Sequence, residues 1–189
     1  MKKLLYISVT IFIFLNPLFS NEPFSELCIH FNGCDVMKAN LLGKYYDVFN
    51  YGGGFGISTP IYFGRLMANT TIFENNSLIN KTDNYYSVAA TIEWDIPLEL
   101  TKYFQFTLGL GVGNYFMFFP EKKEEGKTES EICLLGKAGF DINIFKFLSI
   151  SCNYYKKEIS TYHKIYLDEI SAGFYFRFDT SKGFREFLK

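Results

Sequence analysis

Between Phe104 and Phe119 the chain reads FQFTLGLGVGNYFMFF, and its alternate positions differ in kind. Phe104, Phe106, Leu108, Leu110, Val112, Asn114, Phe116 and Phe118 form one series; Gln105, Thr107, Gly109, Gly111, Gly113, Tyr115 and Met117 form the other. A period of two marks a β-strand, whose successive side chains point to opposite faces. One face is large and apolar, the other small or polar. A water-soluble sandwich or barrel turns its large apolar residues inward and carries Lys and Glu outside, whereas the second face here rests on three glycines. The arrangement predicts a strand whose apolar face meets lipid and whose small face lines a narrow interior.

The same alternation recurs along the chain. A strand over about 44–58 sets Phe49, Tyr51, Phe55 and Ile57 against Asn50, Gly52, Gly54, Gly56 and Ser58. One over 61–73 places Tyr62, Leu66, Ala68 and Ile72 outward and Arg65, Met67, Asn69 and Thr71 inward. Over 85–96, Tyr86, Val88, Ala90, Ile92, Trp94 and Ile96 oppose Ser87, Ala89, Thr91, Glu93 and Asp95. Over 131–144, Ile132, Leu134, Ala138, Phe140, Ile142 and Ile144 oppose Lys137, Gly139, Asp141 and Asn143. Strands over 147–155 and 165–178 turn Ser149, Ser151 and Asn153, then Glu169, Ser171, Gly173, Tyr175 and Arg177, to the interior. The links at Thr59-Pro60, 97–101 and 145–146 are short, those at 74–84, 120–130 and 156–164 long and polar, and the two kinds alternate. Bringing the last strand to the short-turn side requires one more strand before residue 44, and only 21–31 can supply it. Asn32-Gly33 would be its turn and 32–43 the first long loop. The count is eight, which predicts an all-β, eight-stranded antiparallel up-and-down transmembrane barrel.

The first twenty residues change the setting. Lys2 and Lys3 precede an apolar run from Leu4 to Leu15, ended by Asn16-Pro17 and followed by Ser20. That run is shorter than the roughly 18–20 residues of a spanning helix, so 1–20 is expected to be a cleaved signal peptide. The expected domains are then the barrel over 21–178 and a periplasmic tail over 179–189. Aromatic residues make up 20% of the chain, with 22 Phe and 14 Tyr, which suits girdles at two membrane interfaces. Nineteen basic residues against twenty acidic ones offer no basic surface to nucleic acid.

With its signal, its alternation, the segment LGLGVGNYF and the closing ISAGFYFRF, the chain resembles the small eight-stranded outer-membrane proteins of the OmpA-like transmembrane-domain, OmpX-like and opacity-protein group. The closing segment, aromatic at alternate positions up to Phe178, is similar to the terminal signal of that group, although the chain continues to Lys189. No large peptidoglycan-binding domain is expected after the barrel. The resemblance implies residence in the cell outer membrane among its lipids, insertion by the barrel-assembly machinery through the C-terminal strand, and loops facing an extracellular ligand or host surface. It implies a non-enzymatic, adhesin-like or envelope-structural role. The alternatives are a narrow porin-like channel, a lipid-modifying outer-membrane enzyme, and a soluble secreted ligand-binding barrel with its faces inverted.

Candidate chemistry is sparse. Arg65, Glu93, Asp95, Lys137, Asp141, Glu169 and Arg177 all fall on inward positions, and unpaired charges in a narrow interior are costly, so they are expected to form one hydrogen-bonded network. That network would be a structural plug or, in the channel reading, a gated or proton-conducting path. Catalysis of the serine–histidine kind would need His30 or His163, with Ser160, Thr161 and Asp168 near the latter, and the two histidines could meet at the outer rim. Cys28 and Cys34 flank Asn32-Gly33 and could close a small disulfide loop, while Cys133 inward and Cys152 outward should not bridge. No catalytic, cofactor-binding or metal-ligating set is assigned. The tail GFREFLK could lie against the inner interface or fray.

Overall fold

The computed structural model describes residues 22–40, 42–44, 46, 51–78, 84–120, 128–162 and 164–188; the expected signal over 1–20 lies outside them. Among the described residues there are eight strands: β1 (Glu26–Ala39), β2 (Tyr51–Ile61), β3 (Gly64–Asn75), β4 (Tyr85–Thr101), β5 (Phe104–Phe118), β6 (Thr128–Phe145), β7 (Leu148–Ile159) and β8 (Ile165–Asp179). They pair antiparallel in sequence order and close by β1 on β8, so the sheet has no free edge. A 3-10 turn, Leu42–Lys44, follows β1, and a short helix, α1 (Lys182–Leu188), follows β8. Two-residue turns at 62–63, 102–103 and 146–147 share one end with both described termini, and the longer connections at 40–50, 76–84, 119–127 and 160–164 share the other.

The burial of side chains is inverted relative to a water-soluble domain. Along β5, β4 and β6 the outward series includes Leu110, Ile92 and Ile132, exposed at 73%, 59% and 56%, while the inward Asp95 and Asp141 are at 0%. Large apolar groups face out all round the barrel, and charged groups are among its most deeply buried ones. The turn end carries an exposed apolar and aromatic ring: Tyr62, Phe63, Leu100, Tyr103, Phe145 and Phe147.

Where the expected boundaries differ, strand pairing has overridden a local break signal. β1 runs straight through Asn32-Gly33 to Ala39, because Asn32 lies between Gly54 of β2 and Gly173 of β8, and Gly33 between Gly53 and Ala172. Two ladders therefore hold a dipeptide that would favour a turn in isolation, and the first long connection is 40–50. Cys28 and Cys34 consequently share one strand, six residues or roughly 20 Å apart; both are free thiols, and the possible bridge between them is not made, since that span is far beyond a disulfide's reach. Pro60 and Pro97 lie inside β2 and β4 near their ends, where a missing N–H costs at most one ladder bond. The turns fall instead at Tyr62-Phe63, with Tyr62 in the left-handed region at φ 50°, and at Lys102-Tyr103. β7 continues to Ile159, so 156–159 is strand rather than loop. The expected start of the second strand over 44–50 lies partly outside the described residues.

Candidate functional site

The interior is built by register. Arg65 of β3 lies opposite Asp95 of β4, Asp95 opposite Gly109 of β5, Gly109 opposite Lys137 of β6, and Lys137 opposite Tyr155 of β7. Gly109 explains how residues two strands apart can touch, since a Cβ there would sit 2.3 Å from Asp95 Oδ1. Gly111 does the same beside Glu93, at 2.9 Å from its Cγ. Over this gap Lys137 Nζ donates to Asp95 Oδ2 at 2.6 Å and lies 3.5 Å from Glu93 Oε2. Arg65 Nη2 is 3.4 Å from Asp95 Oδ2 and 3.5 Å from Asp141 Oδ2. Asn69 and Thr91 donate to Glu93 Oε1 at 3.2 and 3.0 Å, and Thr107 to Asp141 Oδ2 at 3.3 Å. Every charge in this cluster is buried and has an oppositely charged neighbour, the condition under which ions are tolerated away from water.

Of the seven charged residues read from the sequence, the structure brings together five: Arg65, Glu93, Asp95, Lys137 and Asp141. Glu169 belongs to a second cluster, where its Oε2 accepts from Lys157 Nζ at 2.5 Å, and Lys157 also reaches Thr71 Oγ1 at 3.5 Å. Both clusters place a cation against the Tyr155 ring, with Lys137 Nζ 5.7 Å and Lys157 Nζ 5.4 Å from its centroid, within the range of a cation–π contact. Arg177 stands apart at the turn end, donating to Asn143 Oδ1 at 2.7 Å, an oxygen that also accepts from Ser149. Lys157 is the residue missing from the sequence reading, which placed it in a loop. A signal for it existed: the seven inward charges comprised three cations and four anions, and adding Lys157 balances them.

Towards the loop end the interior changes character. Val36, Phe73, Tyr85, Tyr115, Met117, Phe119, Ile159, Ile165 and Leu167 pack into a buried apolar cluster with Cys34 and Cys133. Tyr46 of the first long connection lies edge-on over Tyr85 at 4.8 Å. The lumen is thus a charged zone beneath an apolar plug, and a polar cavity of about 170 Å³ lined by Arg65, Gln105, Asn143 and Arg177 remains at the turn end. At the rim, exposed Lys164 donates to Glu158, which raises its pKa above the ordinary lysine value.

His30 is not at the loop rim. His30 is buried well inside β1, with Nε2 2.6 Å from Ser58 Oγ and its ring 3.9 Å from that of Tyr175, and His163 lies outside the described residues. The pair His30–Ser58 has no carboxylate among its hydrogen-bond partners, so the orienting acid that a serine nucleophile requires is absent among the described residues. Nor do His, Cys, Asp and Glu gather there into a group that could hold a metal.

The sequence matches no family model and no curated protein. The structure does have counterparts. Neisserial surface protein A superposes with a TM-score of 0.64 at 12% identity, over 80% of this chain and 97% of that one. Ail, the attachment invasion locus protein of Yersinia pestis, gives 0.51 at 16% identity, over 82% and 99%. The N-terminal β-barrel domain of Pseudomonas aeruginosa OprF gives 0.51 at 9% identity, over 82% and 100%. The chain has the fold of the small eight-stranded outer-membrane barrels. In a barrel of this strand number the interior is just wide enough for side chains to fill, and here an ionic zone and an apolar zone occupy it above the cavity at the turn end.

Proposed function

We propose that this chain is an integral protein of the outer membrane, without enzymatic activity, whose task is contact with the surroundings through the loops at its long-connection end. The observation that carries the reading is the inverted burial: a continuous apolar exterior around charged side chains suits a barrel whose solvent is lipid. The four long connections emerge together at one end and include PEKKEEGK over 120–127 and STYHK over 160–164. They provide polar and charged groups of both signs, the kind of surface an adhesin-like role requires. Ail, an attachment invasion locus protein, has been crystallised with the heparin analogue sucrose octasulfate, a precedent for ligand contact by a barrel of this shape. The C-terminal strand, with Phe176 and Phe178 near its end, is the segment through which the barrel-assembly machinery would insert the chain.

The test is exchange of the loops. Cells displaying the intact chain should bind a host-cell or matrix surface above background, and replacing 120–127 and 160–164 by short Gly-Ser turns should abolish that binding while the barrel still inserts. Undiminished binding by the loop-exchanged barrel would rule out the loops as the contact surface.

A further inference from the structure

The chain continues past the last strand, and what it does there is ordered. Thr180 N donates to Ser25 O at 3.0 Å and Thr180 Oγ1 donates to Phe24 O. Arg185 donates to Thr180 O through both Nε and Nη2, at 3.2 and 3.1 Å, and pairs with Glu22 through Nη1. Phe24 N in turn donates to Pro60 O at 2.9 Å. The two chain ends are clasped to each other and to β2 at the turn end, and the clasp fixes α1 (Lys182–Leu188) at the level where β8 leaves the barrel.

An isolated helix of seven residues containing Gly183 is far too short to persist in water alone. Its Phe187 is 84% exposed, and no described residue of α1 lines the polar mouth of the barrel. Phe187 therefore faces the surroundings rather than the cavity at the mouth. The nearest apolar environment is the one the barrel itself meets: Tyr62, Phe63, Tyr103, Phe145, Phe147 and Phe178 are exposed at this same end. Arg185 is neutralised by Glu22 in the clasp and Glu186 follows it, so the basic group that the helix offers to its surroundings beside Phe187 is the exposed Lys182. Apolar and basic groups on one short surface helix match the boundary between phospholipid headgroups and acyl chains.

We infer that α1 is an interfacial anchor that rests in the inner-leaflet phospholipid surface, with Phe187 in the acyl boundary and Lys182 at the phosphates. The inference rests on the outer-membrane reading above. Its occupant is lipid; a protein partner or bulk water are the rival outcomes of the test.

The full chain carrying Phe187→Trp is folded into vesicles of phosphatidylcholine and phosphatidylglycerol, and its emission is read as the difference from the parent, whose single tryptophan is Trp94. The added tryptophan should emit blue-shifted from tryptophan in water, and lipids brominated near the headgroup should quench it more than lipids brominated at the chain end. Emission characteristic of water, without quenching, overturns the anchor. Heat-dependent gel mobility of the same sample separates the two readings: a barrel that shifts on boiling while its added tryptophan emits as in water refutes the anchor alone, whereas a chain that never shows the shift refutes the membrane barrel. A second variant, Glu22→Ala, should release the clasp and lower the quenching with the gel shift intact; unchanged quenching would mean that the clasp does not position the helix.

Discussion

At the scale of single residues, the lumen is a set of mutual dependencies. Lys157 and Glu169 are both buried and joined at 2.5 Å, so removing one leaves an uncompensated charge. Lys157→Met is expected to lower stability by about 3–5 kcal/mol, and Lys157→Met with Glu169→Leu to recover most of the loss, because a buried ion pair is often no more stabilising than well-packed apolar groups. Urea unfolding in lipid vesicles would decide it, and a single variant as stable as the parent would contradict the pairing. Gly113 offers a different test: a Cβ there would come within 2.0 Å of the Ala90 carbonyl oxygen, a backbone atom that cannot swing aside. Gly113→Ala should therefore cost about 1–3 kcal/mol, the range of overpacking in a filled core, on the same unfolding measurement. Inward charges were legible in the sequence because strict alternation assigns a face to every position. Their grouping was not. That Asp95 pairs with Lys137 while Glu169 pairs with Lys157 is a matter of cross-strand register that alternation within one strand does not reveal.

At the scale of elements, β5 and β8 were legible nearly to their ends, whereas β6 begins three residues before the expected 131 and β7 runs four residues past the expected 155. β1 was not legible in this way, because its Asn-Gly pair carries the strongest local turn preference in the chain, and only the flanking ladders of β2 and β8 show that the strand continues. Pro60 and Pro97 misled in the same way, as breaks in sequence that the sheet absorbs near its rim. Parity of the connections succeeded where local pattern failed, since it required a first strand before it could be seen. The apolar plug was hidden for another reason: Phe73, Tyr85 and Phe119 lie at or beyond the ends of polar-lined strands, where inward and outward residues are equally apolar. For the exterior the expectation is sharp. Leu110 is 73% exposed in the middle of β5, so Leu110→Arg should destabilise the barrel in lipid by about 2–4 kcal/mol, the cost of a basic group on the lipid face near the midplane. A water-soluble barrel would accept the same arginine without loss of stability, and equal unfolding midpoints for variant and parent would point to that alternative.

At the scale of the whole molecule, the ionic zone lies beneath a buried apolar cluster, so the purified protein in planar bilayers should show no steady single-channel conductance. Reproducible openings altered by Lys137→Glu would instead support a path through the lumen. The central claim, that this is a barrel in the outer membrane, is tested most directly by expressing the chain with its own first twenty residues, isolating the outer membrane, and comparing boiled with unboiled samples on a denaturing gel. A membrane-bound band that changes mobility on heating is the predicted result. A soluble product whose mobility is indifferent to boiling would contradict it and would mean that the apolar exterior is covered by something other than lipid.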